Sequence, residues 1–416
     1  MQSGDPLRQQ DEMREPGKDR PIRLAHLISG LGVGGAEMML YSLSAALRQD
    51  GFEARVISMT GDGPLAERVR GLGIPVISLG MKRGLPSAGG VLRLRRLLRG
   101  DPPDVLQTWM YHADLLGAIV ARLSPSTSRK TIGTMCGSGQ VGRPPLAWGI
   151  HNTALEARTT KAVTRWVVRL NSALSHRLPD VIVCCSEEAR RAHAQLGYDP
   201  GKMQVIPNGI DLSLFRADAE ARAAVREELG LRPEAMLIGM AARYHPQKDH
   251  RNFIEAARRI RDRNPDVRFL LCGNQMTPEN AELWRMITAA GLGDRVHLLG
   301  LRDDMPRIMA SLDLAALTSA YAEAFPLVIG EAMACEVPCV VTDVGDSAAI
   351  VGEAGAVVPP RDPAALAEAC LRLLEGGVPR LGEMGRAARL RIQERYSLAS
   401  AAAKYAALYR ELAGRG

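Results

Sequence analysis

The sequence predicts an α/β protein made of two doubly wound, Rossmann-like domains that face each other across a cleft. Three observations lead there. Short β-rich runs alternate with helical patterns from end to end, and strands separated by helices imply parallel sheets. The 416 residues are more than one ordinary core organises. The strand runs also fall into two series, parted near Ile206-Pro207-Asn208-Gly209-Ile210-Asp211, where Pro and Asn-Gly mark a turn rather than an element. The expected boundaries are a loose tail over 1–20, a first domain over 21–206, a second over 207–395 and a terminal helix over 396–416.

In the first half, strands are expected at 23–29, 54–59, 75–79, 105–109, 130–135 and 181–185. In the second half they are expected at 236–241, 267–272, 295–299, 314–318, 338–342 and 356–358. In open sheets of this kind a ligand sits beyond the carboxyl ends of the strands, so the cleft is the expected site.

Composition narrows the classes. Apolar residues make up 46% of the chain, the level of a globular protein, with aromatics low at 4%. Residues 1–20 are polar and aperiodic, without the apolar core of a signal peptide. No run approaches the length of apolar sequence that spans a bilayer. The expectation is a cytoplasmic protein, at most attached to the inner face of the cytoplasmic membrane. The seven cysteines (Cys136, Cys184, Cys185, Cys272, Cys335, Cys339 and Cys370) are odd in number and lie mostly in apolar runs, which predicts reduced core thiols. No metal site is expected, and Asp303-Asp304 reads as a helix cap.

The net charge of +7 is unevenly spread. Lys82, Arg83, Arg93, Arg95, Arg96 and Arg99 lie in a stretch with no acid until Asp101, and Arg158, Lys161, Arg165 and Arg169 recur at helical spacing. Such a helix suits an anionic membrane surface or a phosphate-bearing acceptor, against the simpler reading of a solvated arginine-rich face. Nucleic acid is not expected as a partner, because no aromatic residues are interleaved as stacking platforms.

The most informative stretch is Glu323-Ala-Phe-Pro-Leu-Val-Ile-Gly-Glu331. It places one carboxylate on the loop after a buried strand and a second on the helix that follows. Pro326 suits that helix's first turn, whose N–H groups can meet sugar hydroxyls or phosphate oxygens. Arg243 and Lys248 follow the first strand of the second domain, where two cations could neutralise a departing diphosphate without a metal. In the first domain, Gly30-Leu-Gly32-Val-Gly34-Gly35-Ala-Glu37 ends the first strand. It satisfies GxGxxG literally, which keeps an NAD-dependent oxidoreductase as an alternative, but no acid ends the second strand to hold a ribose. The surviving content is a loop whose glycines let the backbone approach a diphosphate. His112 lies just past a strand, where it could hydrogen-bond a transferred group, and His151 is a second candidate on the acceptor side.

Over residues 21 to 410 these features resemble the nucleotide-sugar glycosyltransferases of GT-B fold known as group 1, family 4, a retaining group. The resemblance is carried by Gly34-Gly35-Ala-Glu37, Pro207-Asn208-Gly209-Ile-Asp211, Arg243 with Lys248, the Glu323…Glu331 pair, Asp343-Val-Gly345 and Pro359-Pro-Arg-Asp-Pro363. It implies a nucleotide-sugar donor, with Arg243, Lys248, Gly34 and Gly35 at the diphosphate. It also implies that Glu323 holds the donor sugar, with backbone from Ala324, Phe325, Pro326 and Leu327, and that Glu331 holds the ribose. His112 would lie near the transferred sugar, with Glu37 and His151 toward the acceptor, a glycan or lipid-linked hydroxyl. No cofactor is implied, and the terminal helix would cross back to the first domain. A non-catalytic relative acting as a partner subunit is the other alternative. Three departures from the family pattern stand out: Ala324 for a usual glycine, with strain expected if φ is positive there; Asp249 after the lysine; and Glu336 after Cys335.

Overall fold

The computed structural model describes residues 20–82, 84, 86–123, 143–153, 160–232 and 234–415. The expected tail over 1–19, the strand at 130–135, Cys136 and Arg158 lie outside the described residues.

The first sheet contains β1 (Ile22–Ile28), β2 (Phe52–Ser58), β3 (Val76–Ser78), β4 (Val105–Trp109), β5 (Leu146–Ile150), β6 (Val181–Cys184) and β7 (Met203–Val205). They pair in the order β3-β2-β1-β4-β5-β6-β7, all parallel. The second contains β8 (Leu237–Ala241), β9 (Arg268–Cys272), β10 (Val296–Leu298), β11 (Leu314–Leu317), β12 (Cys339–Thr342) and β13 (Gly355–Val358). Its order is β10-β9-β8-β11-β12-β13, again parallel. Two of these strands were not expected. The Gly in Leu146-Ala-Trp-Gly-Ile150 hides a fully buried strand, and Met203–Val205 is a short edge.

Each sheet reverses its winding direction once, between β1 and β4 and between β8 and β11. A crevice opens at such a point because the flanking helices leave toward opposite faces. The loop after β1 carries the glycine run and the helix after β4 carries His112, and the segments after β8 and β11 carry Arg243, Lys248 and Glu323.

The terminal Leu398–Leu412 helix packs on the Gly35–Leu47 helix of the first domain. Tyr405 and Tyr409 anchor it, both fully buried. The Tyr409 hydroxyl donates to Gln107 Oε1 at 3.1 Å, and its ring meets His26 and Phe52 edge-on. His26 is itself buried, which lowers its pKa to about 4, and its Nδ1 accepts from Trp109 Nε1 at 3.2 Å.

The two crossings between domains lie side by side. Ile210 N donates to Tyr396 O, and Leu398 N donates to Ile210 O, each at 2.8 Å. Gly209 is required there for space rather than for a turn: its φ is not positive, yet a methyl on it would lie 2.5 Å from Leu398 Cα. Gly209→Ala is expected to overpack this hinge by about 1–3 kcal/mol. The measurement is the unfolding midpoint in denaturant. Gly89→Ala, in the helix Ala88–Gly100 with open space around it, should leave the midpoint unchanged or slightly raised.

Candidate active site in the interdomain cleft

β8 and β11 are adjacent, so the loops that leave them meet. The Lys248 ammonium pairs with Glu323 Oε1, and both side chains are well buried, at 14% and 7% exposure. Ser319 Oγ donates to the same oxygen at 2.6 Å, and Gln247 Nε2 reaches it at 3.4 Å. Glu323 Oε2 takes no protein hydrogen bond among the described residues. Gln247 also donates to Ala322 O at 2.9 Å and accepts from Arg243 at 3.2 Å, so one amide bridges both cations' neighbourhoods. Arg243 itself is exposed.

Local backbone explains how the loop holds. Asp249 sits at φ +48°, tolerable for an aspartate because its carboxylate accepts from Asn252 N and caps the helix His250–Arg263. Ala324 does not have positive φ, so the strain expected there is absent. Ala322, two residues earlier, carries it at +60°. Glu336 does occupy the left-handed region, at +62°. Pro326 stands at the N-cap, one position before the expected first turn, and the helix runs Leu327–Ala334. Gly345, at φ +61°, passes so close beneath the loop that a methyl would sit 1.8 Å from Glu323 O.

Glu331 projects from that helix. It is only partly shielded from solvent by area, yet the surrounding protein is dense enough to push its carboxyl up to about 7. Across the cleft, Gly34 is the N-cap of the helix Gly35–Leu47, and a methyl on Gly35 would lie 3.8 Å from Leu327 Cδ1. The glycine loop therefore lies next to the start of the Glu331 helix. Glu37 folds back on that loop, where a methyl on Gly34 would meet Glu37 Oε2 at 2.6 Å. Burial raises its pKa, and Arg243 across the cleft opposes the shift.

His112 opens the helix Tyr111–Leu123 after Met110, which takes φ +74° to turn the chain sharply off β4. Half-burial lowers its pKa, which favours the neutral ring. His151, just past the end of β5, stacks on Trp109 at 4.9 Å, and both of its ring nitrogens are buried without a hydrogen-bond partner among the described residues. Burial lowers its pKa to about 4. Two residues later Thr153 donates to Glu323 O at 3.0 Å, joining the two domains.

Ser319, Gln247, Thr153 and Asp346 are the residues the sequence reading passed over. Gln247 lies between Arg243 and Lys248 in sequence and was the legible one. Asp304, read as a cap, makes no cap bond and instead pairs with Arg302 and Arg307. The six described cysteines are free and buried. Among the described residues there is no cluster of three metal-ligating side chains, and no helix is long and apolar enough to cross a membrane.

The family models match in two pieces. Residues 33–214 match Glycosyltransferase Family 4, and residues 235–376 match Glycosyl transferases group 1. The chain belongs to the group 1, family 4 glycosyltransferases. It is similar to the UDP-Gal:alpha-D-GlcNAc-diphosphoundecaprenol alpha-1,3-galactosyltransferase of Escherichia coli, 27% identical over 79% of this chain and 81% of that protein. It is 31% identical to the alpha-D-kanosaminyltransferase of Streptomyces kanamyceticus, over 63% of this chain and 67% of that protein. In fold it matches Anabaena Alr3699/HepE in complex with UDP, with a TM-score of 0.78 at 24% identity, over 94% of this chain and all of the other. The GT-B architecture follows. The oxidoreductase reading of this glycosyltransferase's glycine run falls, since β2 ends in the buried Ser58, whose hydroxyl bonds Gly61 O.

The Glu331 carboxyl is expected to titrate near pH 7 in a carboxyl-labelled NMR experiment, the signal vanishing in Glu331→Gln. Its folded pKa lies above the unfolded value, so the folded state binds the extra proton between about pH 4.5 and 7. Wild-type stability should therefore fall relative to Glu331→Gln as pH rises through that window, as read by denaturant melts.

Proposed function

We propose that this glycosyltransferase moves a hexose from a nucleoside-diphosphate sugar to an acceptor hydroxyl in the cleft, with retention and without a metal, in the synthesis of envelope, capsular or exopolysaccharide glycan. The observation that carries it is the pairing of Lys248 with Glu323, joined through Gln247 to Arg243, at the foot of the helix that bears Glu331 and faces Gly35.

Each group has a task that its chemistry suits. Arg243 and Lys248 receive the diphosphate as negative charge builds on it, with the glycine loop and its helix N-terminus on the far side. Lys248 is held by Glu323 beforehand, so the bound diphosphate competes for an ammonium already in place. Glu323, aided by backbone from Ala324 to Leu327, accepts sugar hydroxyls through Oε2, and Glu331 accepts the ribose hydroxyls. Neutral His112 hydrogen-bonds the transferred sugar. In the favoured path the bond from the anomeric carbon to the β-phosphate oxygen breaks while the acceptor oxygen bonds that carbon on the same face. The acceptor's proton passes to the departing phosphate oxygen. Glu323, already occupied by Lys248 and Ser319, is not assigned a nucleophilic role. Glu37 and His151 line the first-domain side, toward the acceptor.

The E. coli relative's name supports a UDP-sugar donor and a diphosphate-lipid acceptor. The surface of the first domain supports a site at an anionic membrane. On the helix Ala162–Ser175, Trp166 is 55% exposed beside exposed Arg169, with Lys161 just before the helix. On this reading the protein works in the cytoplasm, at the inner face of the membrane.

The test supplies purified protein with labelled UDP, GDP and ADP sugars and a lipid-linked acceptor extract, with and without chelator. Transfer should proceed equally with chelator, and the product should keep the donor's anomeric configuration by NMR. Lys248→Ala and Glu323→Gln should each lower kcat/KM by about 100-fold or more, the size of losing a fixed charge at a developing anion. Inversion, chelator sensitivity, or neither transfer nor donor hydrolysis with any sugar would contradict the proposal.

A further inference from the structure

We propose that Asp346 is a positioning residue that ties the donor-side loop of the second domain to the histidine-bearing helix of the first. Asp346 stands at the N-cap of its own helix, Ser347–Val351, yet makes no side-chain bond to it. Its carboxylate instead crosses the cleft. Oδ1 accepts from Glu188 N at 3.0 Å and Oδ2 from Glu187 N at 3.1 Å, at the start of the helix Glu187–Gln195. That helix has its own cap, Ser186, whose hydroxyl accepts from Ala189 N. Asp346 therefore takes the remaining first-turn amides, and a carboxylate suits the positive end of the helix dipole.

Both ends of this contact lead to the site. On the donor side, Asp346 N donates to Ala324 O at 3.3 Å, and Gly345 supports the Glu323 carbonyl from below. On the other side, the Glu187–Gln195 helix carries buried His193. Its Nδ1 must donate to Ala189 O (2.8 Å), because a carbonyl only accepts, so Nε2 accepts from the Tyr111 hydroxyl at 2.9 Å. Asn171 fixes the Tyr111 carbonyl at 2.8 Å, and the next residue is His112. A bonded path thus runs from Glu323 through Asp346 and the Glu187–Gln195 helix to His112, with Thr153 to Glu323 as a second crossing. Its catalytic meaning rests on the proposed function, in which donor sugar lies between Glu323 and His112.

The test compares the full-length wild type with Asp346→Ala, Asp346→Asn and Ser186→Ala. A fluorophore pair on the two domains reports their separation without ligand, and donor kinetics follow with a UDP sugar. Asp346→Ala should shift the closed-to-open ratio toward open by about five- to tenfold, the size of a helix-cap interaction. It should also raise donor KM. The isosteric Asp346→Asn, which keeps one acceptor, should fall between. Ser186→Ala weakens the same helix end without crossing the cleft and should keep the wild-type separation. Unchanged separation in both Asp346 variants, an equal shift in Ser186→Ala, or a shift with unaltered donor KM overturns the proposal. A shifted separation in a protein whose wild type binds no nucleotide sugar leaves the interdomain tie standing and refutes the proposed function instead.

Discussion

The arrangement of the cleft depends on one buried ion pair, Lys248 with Glu323. A carboxylate this shielded requires a partner, and removing either member would strand the other's charge in a poorly solvated place. The pair forms because β8 and β11 are neighbours although more than seventy residues separate the two side chains. Ser319 and Gln247 complete the shell, and Gly345 closes it from below where no side chain would fit. The loop is thereby fixed before any donor arrives, as electrostatic catalysis requires: groups already oriented need no reorganisation when charge develops.

The same economy appears in the first domain. Gly34 leaves room for the Glu37 carboxylate to fold back on the loop, and Met110 accepts a left-handed conformation that turns the chain off β4. Behind them, Tyr111, His193 and Asn171 form a buried polar cluster that holds the His112 helix at its start. Among the described residues the domains meet through few bonds at the cleft, and the paired crossings at Ile210 and Leu398 form the hinge. The terminal helix, locked by Tyr405 and Tyr409, makes the second domain's last element part of the first domain's core.

Periodicity and punctuation showed eleven of the thirteen described strands in the sequence, and the two-domain plan with them. Fully buried parallel strands read as plain apolar runs, so they are visible without context. Leu146–Ile150 was not, because its glycine and flanking prolines imitate a loop, and Met203–Val205 is too short to carry a period. At the site, the charged donor-side candidates were visible as types at strand ends. Strain at position 324 was misplaced by two residues, because φ depends on how the loop packs on Gly345 and not on the residue written there.

What the amino-acid order determined by itself is the inventory: two series of strands, glycines where backbone must come close, and two cations and two acids at strand ends in the second half. These are local facts, set by spacing and side-chain chemistry. Only the tertiary structure decided that Lys248 is held by Glu323, that Glu331 is pushed up to about 7, that Glu37 lies under the influence of Arg243, and that Asp346 caps a helix of the other domain. Each of those depends on burial and on partners distant in sequence, and neither quantity exists until the sheets have closed on one another.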